Sequence, residues 1–207
     1  MPFFETTLAV LALIIALSLK PWRMMAGARL LGPALAVLVL LPWAWVLPTL
    51  HPMPLSLHWS GACLALLMLG WPLAVPVLIA VALITGFIGN LAPADMVTLA
   101  VWQGLLPATF ALILGAAVRR WLPRNPFIYI LVRSFLGTVL CIFAATWLSQ
   151  HTAIEAPAGP SIDALGSTIA LWLMAWGDGV ITGMLTTVFV AYRPEWLATW
   201  SDRHYLS

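Results

Sequence analysis

Long apolar runs alternate along the chain with short polar or proline-marked breaks, and the runs have membrane-crossing length. A helix rises ~1.5 Å per residue, so ~20 residues cross a ~30 Å hydrocarbon layer. The first predicted span is 4–19, closed by Lys20-Pro21-Trp22-Arg23, and the second is 30–50, bent at its far end by Pro42 and Pro48. A proline-marked loop follows at 51–58. Residues 59–90 form one apolar stretch of 32, too long for one crossing. Gly70-Trp71-Pro72 divides it into two helices, the first short, and Pro76 distorts the start of the second. The fifth and sixth spans are predicted at 96–118 and 126–147, with a loop at 149–163. The last region, 164–192, has 29 residues, or ~43 Å as one helix, more than a bilayer needs. Gly177-Asp178-Gly179 is expected to break it. Residues 180–192 then complete the crossing, and 164–176 form an interfacial or re-entrant piece.

Composition agrees with this pattern. Of 207 residues, 63% are hydrophobic and only 8% charged, with a mean hydropathy of +1.03. So few charges cannot cover a water-facing surface, which excludes soluble enzyme folds and disorder. The expected class is an all-α polytopic membrane protein in one integral membrane domain, 1–207, surrounded by the lipid bilayer. A net charge of +2 gives no footprint for nucleic acid. Cys63 and Cys141 lie in apolar runs with no CxxC or Cys-His spacing. No GxSxG, HExxH or Walker loop is present, so no enzyme activity is expected, and ATP-driven work would need another subunit.

Charge sets the expected orientation. Lys20, Arg23 and Arg29 share one loop, Arg119, Arg120 and Arg124 another, and Arg193 and Arg203 lie at the end of the chain. Segments 51–58, 91–95 and 150–163 hold no Lys or Arg. About seven spans, with the N-terminus outside and the C-terminus cytoplasmic, place eight of the nine basic residues inside. Residues 193–207 become a short cytoplasmic tail, in which Trp196 and Trp200 can share a face of a short interfacial helix. Residues 1–20 lack a basic leader and a small-residue cleavage site, and read as a retained first helix. Most tryptophans, Trp43, Trp45, Trp59 and Trp147 among them, fall near span ends and form an aromatic belt. Ala12 and Ala16 permit close helix contact.

Few residues can carry chemistry. Asp178 lies 15 residues before Arg193, ~22 Å above the inner edge along a helix. An ionisable group at that depth costs ~2.5–3.5 kcal/mol on insertion scales and is a functional candidate. It either caps the last helix or acts as a ligand, and the two roles are compatible. Its neighbours Gly177 and Gly179 free the local backbone. His58 opens the third helix, and neutral imidazole is a common transition-metal ligand; an interfacial histidine also simply contacts water. His51 and Met53 share its loop. Arg133, inside the sixth span, snorkels to headgroups, pairs with an acid of a partner subunit, or binds lipid phosphate.

At its C-terminal end the chain carries Asp178-Gly179-Val180-Ile181-Thr182-Gly183-Met184, then Tyr192-Arg193-Pro194-Glu195-Trp196 and Asp202-Arg203-His204-Tyr205-Leu206. These segments resemble the close of bacterial CbiM-like energy-coupling-factor permeases. Two further segments fit: His58-Trp59-Ser60-Gly61 leading to Gly70-Trp71-Pro72-Leu73-Ala74, and 123–130 from Pro123-Arg124-Asn125 to Ile130. The resemblance implies a substrate-capture subunit for cobalt(II) or nickel(II) uptake in the bacterial inner membrane. It also implies a T component and cytoplasmic ATPases as partners, and no tightly bound cofactor besides the transported ion. In the family, a square of nitrogens holds the metal: the N-terminal amine, the amide and imidazole of a second-position histidine, and a histidine matching His58. Here Pro2 stands at the second position, and proline offers neither an amide N–H nor an imidazole. Gln103 stands where relatives tend to have Asn. The leading expectation is a cobalt or nickel capture subunit with His58 as ligand, Asp178, Gly177, Gly179 and Gln103 ordering the site, and His51 in reserve. The alternatives are a non-transporting interaction or assembly protein that keeps the fold, which Pro2 favours, and a transporter for another small solute.

Overall fold

The computed structural model describes residues 2–25, 29–50, 59–123, 125–152 and 164–200. Among them the regular structure is helical and no strand occurs. In chain order the helices are α1 (Pro2–Ser18), α2 (Trp22–Met25), α3 (Leu31–Leu50), α4 (Ala62–Leu69) and α5 (Trp71–Gly89). They continue as α6 (Pro93–Trp121), α7 (Pro126–Thr152) and α8 (Ala164–Tyr192), followed by a 3-10 turn at Pro194–Trp196. Five of them, α3, α5, α6, α7 and α8, are long and apolar enough to cross a membrane. The protein is an all-α membrane protein; α1 and the eight-residue α4, both predicted as spans, fall short of that length. The loop at 51–58 and the tail beyond 200 lie outside the described residues.

Gly70 divides the 59–90 stretch as expected. Its φ of +72° suits glycine alone, and its N–H bonds the Leu66 carbonyl at 2.8 Å while its own carbonyl accepts from Ala74. One helix therefore ends and the next begins at a single residue. The resulting α4 has eight residues, all buried, and a length of only ~12 Å. It lies at the centre of the main core, surrounded by α3, α5, α6 and α7. Alongside, α1 packs on α5 and α6 through Ala16, which is fully buried with Val75, Val101 and Leu105.

The expected break at Gly177-Asp178-Gly179 is wrong: α8 runs without interruption from Ala164 to Tyr192. Its glycines do not free the backbone. Gly179 is buried against α7, where an added Cβ would strike the Val139 side chain and lie 3.1 Å from the Phe135 carbonyl. One turn on, a Cβ at Gly183 would lie 3.1 Å from Phe135 Cβ. This is a small-xxx-small contact, in which glycines let two helix backbones approach. Gly177 faces away, with nothing within 4 Å of an added Cβ.

Three other expectations change. Trp45 is not in the aromatic belt; it is 1% exposed, in the core beside α4. Arg133 does not snorkel to open surface; it is buried between α6 and α7. Trp200 does not share an interfacial helix with Trp196: 197–200 is non-helical, and Trp200 packs edge-on to Tyr129 at 4.9 Å.

Replacing Gly179 by Val should destabilise the protein by ~1–3 kcal/mol, the usual cost of overpacking a filled contact. Gly177→Ala should cause no loss, since nothing lies near it. Thermal unfolding of the two variants in detergent distinguishes them; equal midpoints would show that α8 does not depend on this contact.

Candidate functional site

The site is built around three residues that are not helical, Trp59-Ser60-Gly61, which lead into α4. Ser60 and Gly61 are buried, so their backbone groups cannot be answered by bulk water and need partners inside the protein. Three helices supply them. Asp178 of α8 accepts the Ser60 N–H on Oδ2 at 2.9 Å and the Gly61 N–H on Oδ1 at 3.3 Å. Trp45 Nε1 of α3 donates to the Ser60 carbonyl at 2.9 Å. Gln103 Nε2 of α6 donates to the Trp59 carbonyl at 3.4 Å. The Ser60 hydroxyl donates to the Gln103 backbone carbonyl at 2.6 Å and accepts from the Ala62 N–H at 3.3 Å.

The free carbonyl of Gln103 has a local cause. In an α-helix it would accept from the N–H four residues on, and that residue is Pro107, which has none. The helix answers with a π-helical turn at Ala100–Leu105, a distortion found often at functional sites. Gly61 has φ +60°, and an added Cβ would lie 2.6 Å from Leu41 Cδ1, so glycine is required there. Asp178 does not cap its own helix, which runs through it without a break; it accepts the two N–H groups that precede α4. Its carboxylate meets the start of α4, where a negative group also suits the helix dipole.

Ser60 and Gln103 line a cavity of about 430 Å³, shared with Asp95, Thr98, Trp102 and Thr146. Its walls come from the start of α6, the end of α7 and α8, so it opens at the end of the bundle where 51–58 and 153–163 attach. Glu5 ties the first turn of α1 to the same wall: Trp102 Nε1 donates to one of its oxygens at 2.8 Å and the Thr98 hydroxyl to the other at 2.5 Å.

Asp178 and Gln103 thus converge on one segment, while Gly179 seats α8 and Gly177 touches nothing. His58 and His51 lie outside the described residues; His58 is the residue directly before Trp59. Among the described residues no three of His, Cys, Asp or Glu come together in a group that could hold a metal ion. The roles of Trp45 and Ser60 are not legible in the sequence because hydrogen bonds to backbone leave no pattern; the Gln103–Pro107 spacing is the readable signal. Cys63 and Cys141, far apart in sequence, share one buried cluster as free thiols.

The family model for CbiM, the cobalt uptake substrate-specific transmembrane region, matches residues 2–196. No curated protein and no solved structure gives a significant match.

Asp178→Ala would leave two buried N–H groups unanswered, at ~1–3 kcal/mol each. We expect a loss of roughly 2–6 kcal/mol on that scale, and a smaller one, near ~1 kcal/mol, for Gln103→Ala, which removes one long bond. Denaturant unfolding checks both. An Asp178→Ala variant as stable as wild type would mean that the carboxylate does not hold this segment.

Proposed function

We infer the function from one premise: this chain belongs to the CbiM family of cobalt uptake substrate-specific transmembrane regions. It is a multi-pass membrane component of cobalt uptake, and we propose that it captures cobalt(II) or nickel(II) for an energy-coupling-factor transporter. The observation that supports capture is the anchored Trp59–Gly61 segment. It fixes the backbone directly after His58, beside a cavity large enough to admit a hydrated ion. His58 is then the proposed ligand, with His51 a lesser one, and Asp178 and Gln103 position the loop that carries them. A positioning role for Asp178 is supported by its two oxygens, each of which accepts a backbone N–H group.

The ion is cargo, and release to the cell would need a T component and cytoplasmic ATPases in the bacterial inner membrane. We propose about seven spans, counting α1 and the short α4, with the N-terminus outside and 193–207 cytoplasmic. The separation of basic loops from loops without Lys or Arg supports this orientation. A second reading, an interaction or assembly protein without a metal site, is supported by Pro2, which lacks the amide N–H and imidazole of the family's second position.

Titration calorimetry with cobalt(II) and nickel(II) decides between them. Capture predicts binding by wild type, loss of at least ~10-fold in affinity for His58→Ala, and tighter binding for Pro2→His. Binding should weaken as pH falls through ~6.5, because only neutral imidazole ligates. Wild type without binding, unchanged by either substitution, would leave the interaction reading. Cysteine labels should report 51–58 and 153–163 outside and 119–125 inside; the reverse would overturn the orientation.

A further inference from the structure

Arg133 is a buried cation that the capture site does not use. It is 7% exposed, and its Nε and Nη1 are buried without a hydrogen-bond partner among the described residues. No described carboxylate pairs with it; among the described residues the ion pair is Arg193–Glu195, beyond the end of α8. Its guanidinium carbon stands 5.4 Å from the centre of the Tyr129 ring, one turn earlier in α7. The side chain therefore points back toward the start of that helix, as helical side chains do. On α6 the guanidinium packs directly against Gly115, where an added Cβ would lie 2.9 Å from Arg133 Nε. Arg119, exposed, is four residues beyond Gly115 and so on the same face of α6, one turn nearer its end. Two cations from two helices thus flank one groove, near the turn that joins α6 to α7.

We propose that this groove binds the phosphate of an anionic phospholipid in the leaflet that the α6–α7 turn faces. A guanidinium fork suits phosphate oxygens, and basic pockets between membrane helices hold such headgroups. Lipid is favoured over a protein carboxylate because lipids already surround these helices and can meet exposed Arg119 and the accessible edge of Arg133, whereas a protein acid would have to be inserted between them. An anionic headgroup is favoured because the ammonium of a zwitterionic lipid would be repelled by the second cation, Arg119.

The test uses the full chain, purified in detergent and offered phosphatidylglycerol, phosphatidylcholine or inorganic phosphate, with bound molecules read by native mass spectrometry. Wild type should retain phosphatidylglycerol over phosphatidylcholine by ~10-fold, the scale of one charge-assisted contact. Arg133→Leu should abolish that preference and Arg119→Gln should reduce it. If Arg133→Leu does not fold, Arg133→Lys, which keeps the charge and loses the fork, takes its place and should weaken retention. Equal retention of the two lipids by wild type, or an unchanged preference in the Arg133 variant, would overturn the proposal and leave the cation for a protein carboxylate. Inorganic phosphate bound as well as phosphatidylglycerol would also overturn it, in favour of a free anion.

Discussion

A stretch of backbone that is neither helix nor sheet can lie inside an apolar bundle only if each of its N–H and C=O groups finds a partner there. Trp59-Ser60-Gly61 meets this demand with side chains from α3, α6 and α8, at positions 45, 103 and 178. The rest of the architecture follows from those bonds. They fix where α4 begins, which faces of three long helices turn inward, and where the wall of the cavity lies. They also explain why a carboxylate can be tolerated so deep in the bundle. Both oxygens of Asp178 are occupied by N–H groups that would otherwise be orphaned. The burial of the acid and the burial of the loop solve each other.

The short helix α4 extends the same logic to its other end. Its final carbonyls have no partners within the helix. The chain after α8 returns to meet them: the Ala198 N–H donates to Met68 at 2.9 Å, and the Thr199 N–H and hydroxyl both donate to Leu67. One element and its continuation thus answer both termini of an eight-residue helix that could not stand alone. Leu197 and Trp200, buried at 2% and 9% exposure, close the core beneath it. Any rearrangement of α8 must therefore be felt at both ends of α4, and through its N-terminal end at the cavity.

The spans were legible because membrane length and apolar content are properties of a segment alone. The split at Gly70 was legible for the same reason: glycine, tryptophan and proline in succession punctuate locally. The pairings were not, since they depend on what lies opposite. Gly179 carried the same letter whether it loosened its own helix or let α7 approach, and only the position of Val139 and Phe135 decides. Trp45 near a span end read as a belt residue until its indole N–H was found on Ser60. Asp178 was singled out by its charge at depth, but its partners are backbone N–H groups, which every residue but proline possesses. Arg133 was visible as an intramembrane charge, while the glycine that admits it, Gly115, lies on another helix.

The arrangement separates the frame of the site from its donors. The frame consists of Asp178, Gln103, Trp45 and Glu5, every one of which is engaged with another part of the protein. None has to change if the ligand set changes. Donors, in the proposed reading, come from the loop before Trp59 and from the start of the chain. Glu5 holds the first turn of α1 against the cavity wall. A chain built this way can keep its fold while its affinity or metal preference drifts, because stability draws on one set of residues and ligation on another. In the proposed reading, a donor missing at Pro2 is thus compatible with an intact frame, and capture depends on the remaining donors rather than on the bundle.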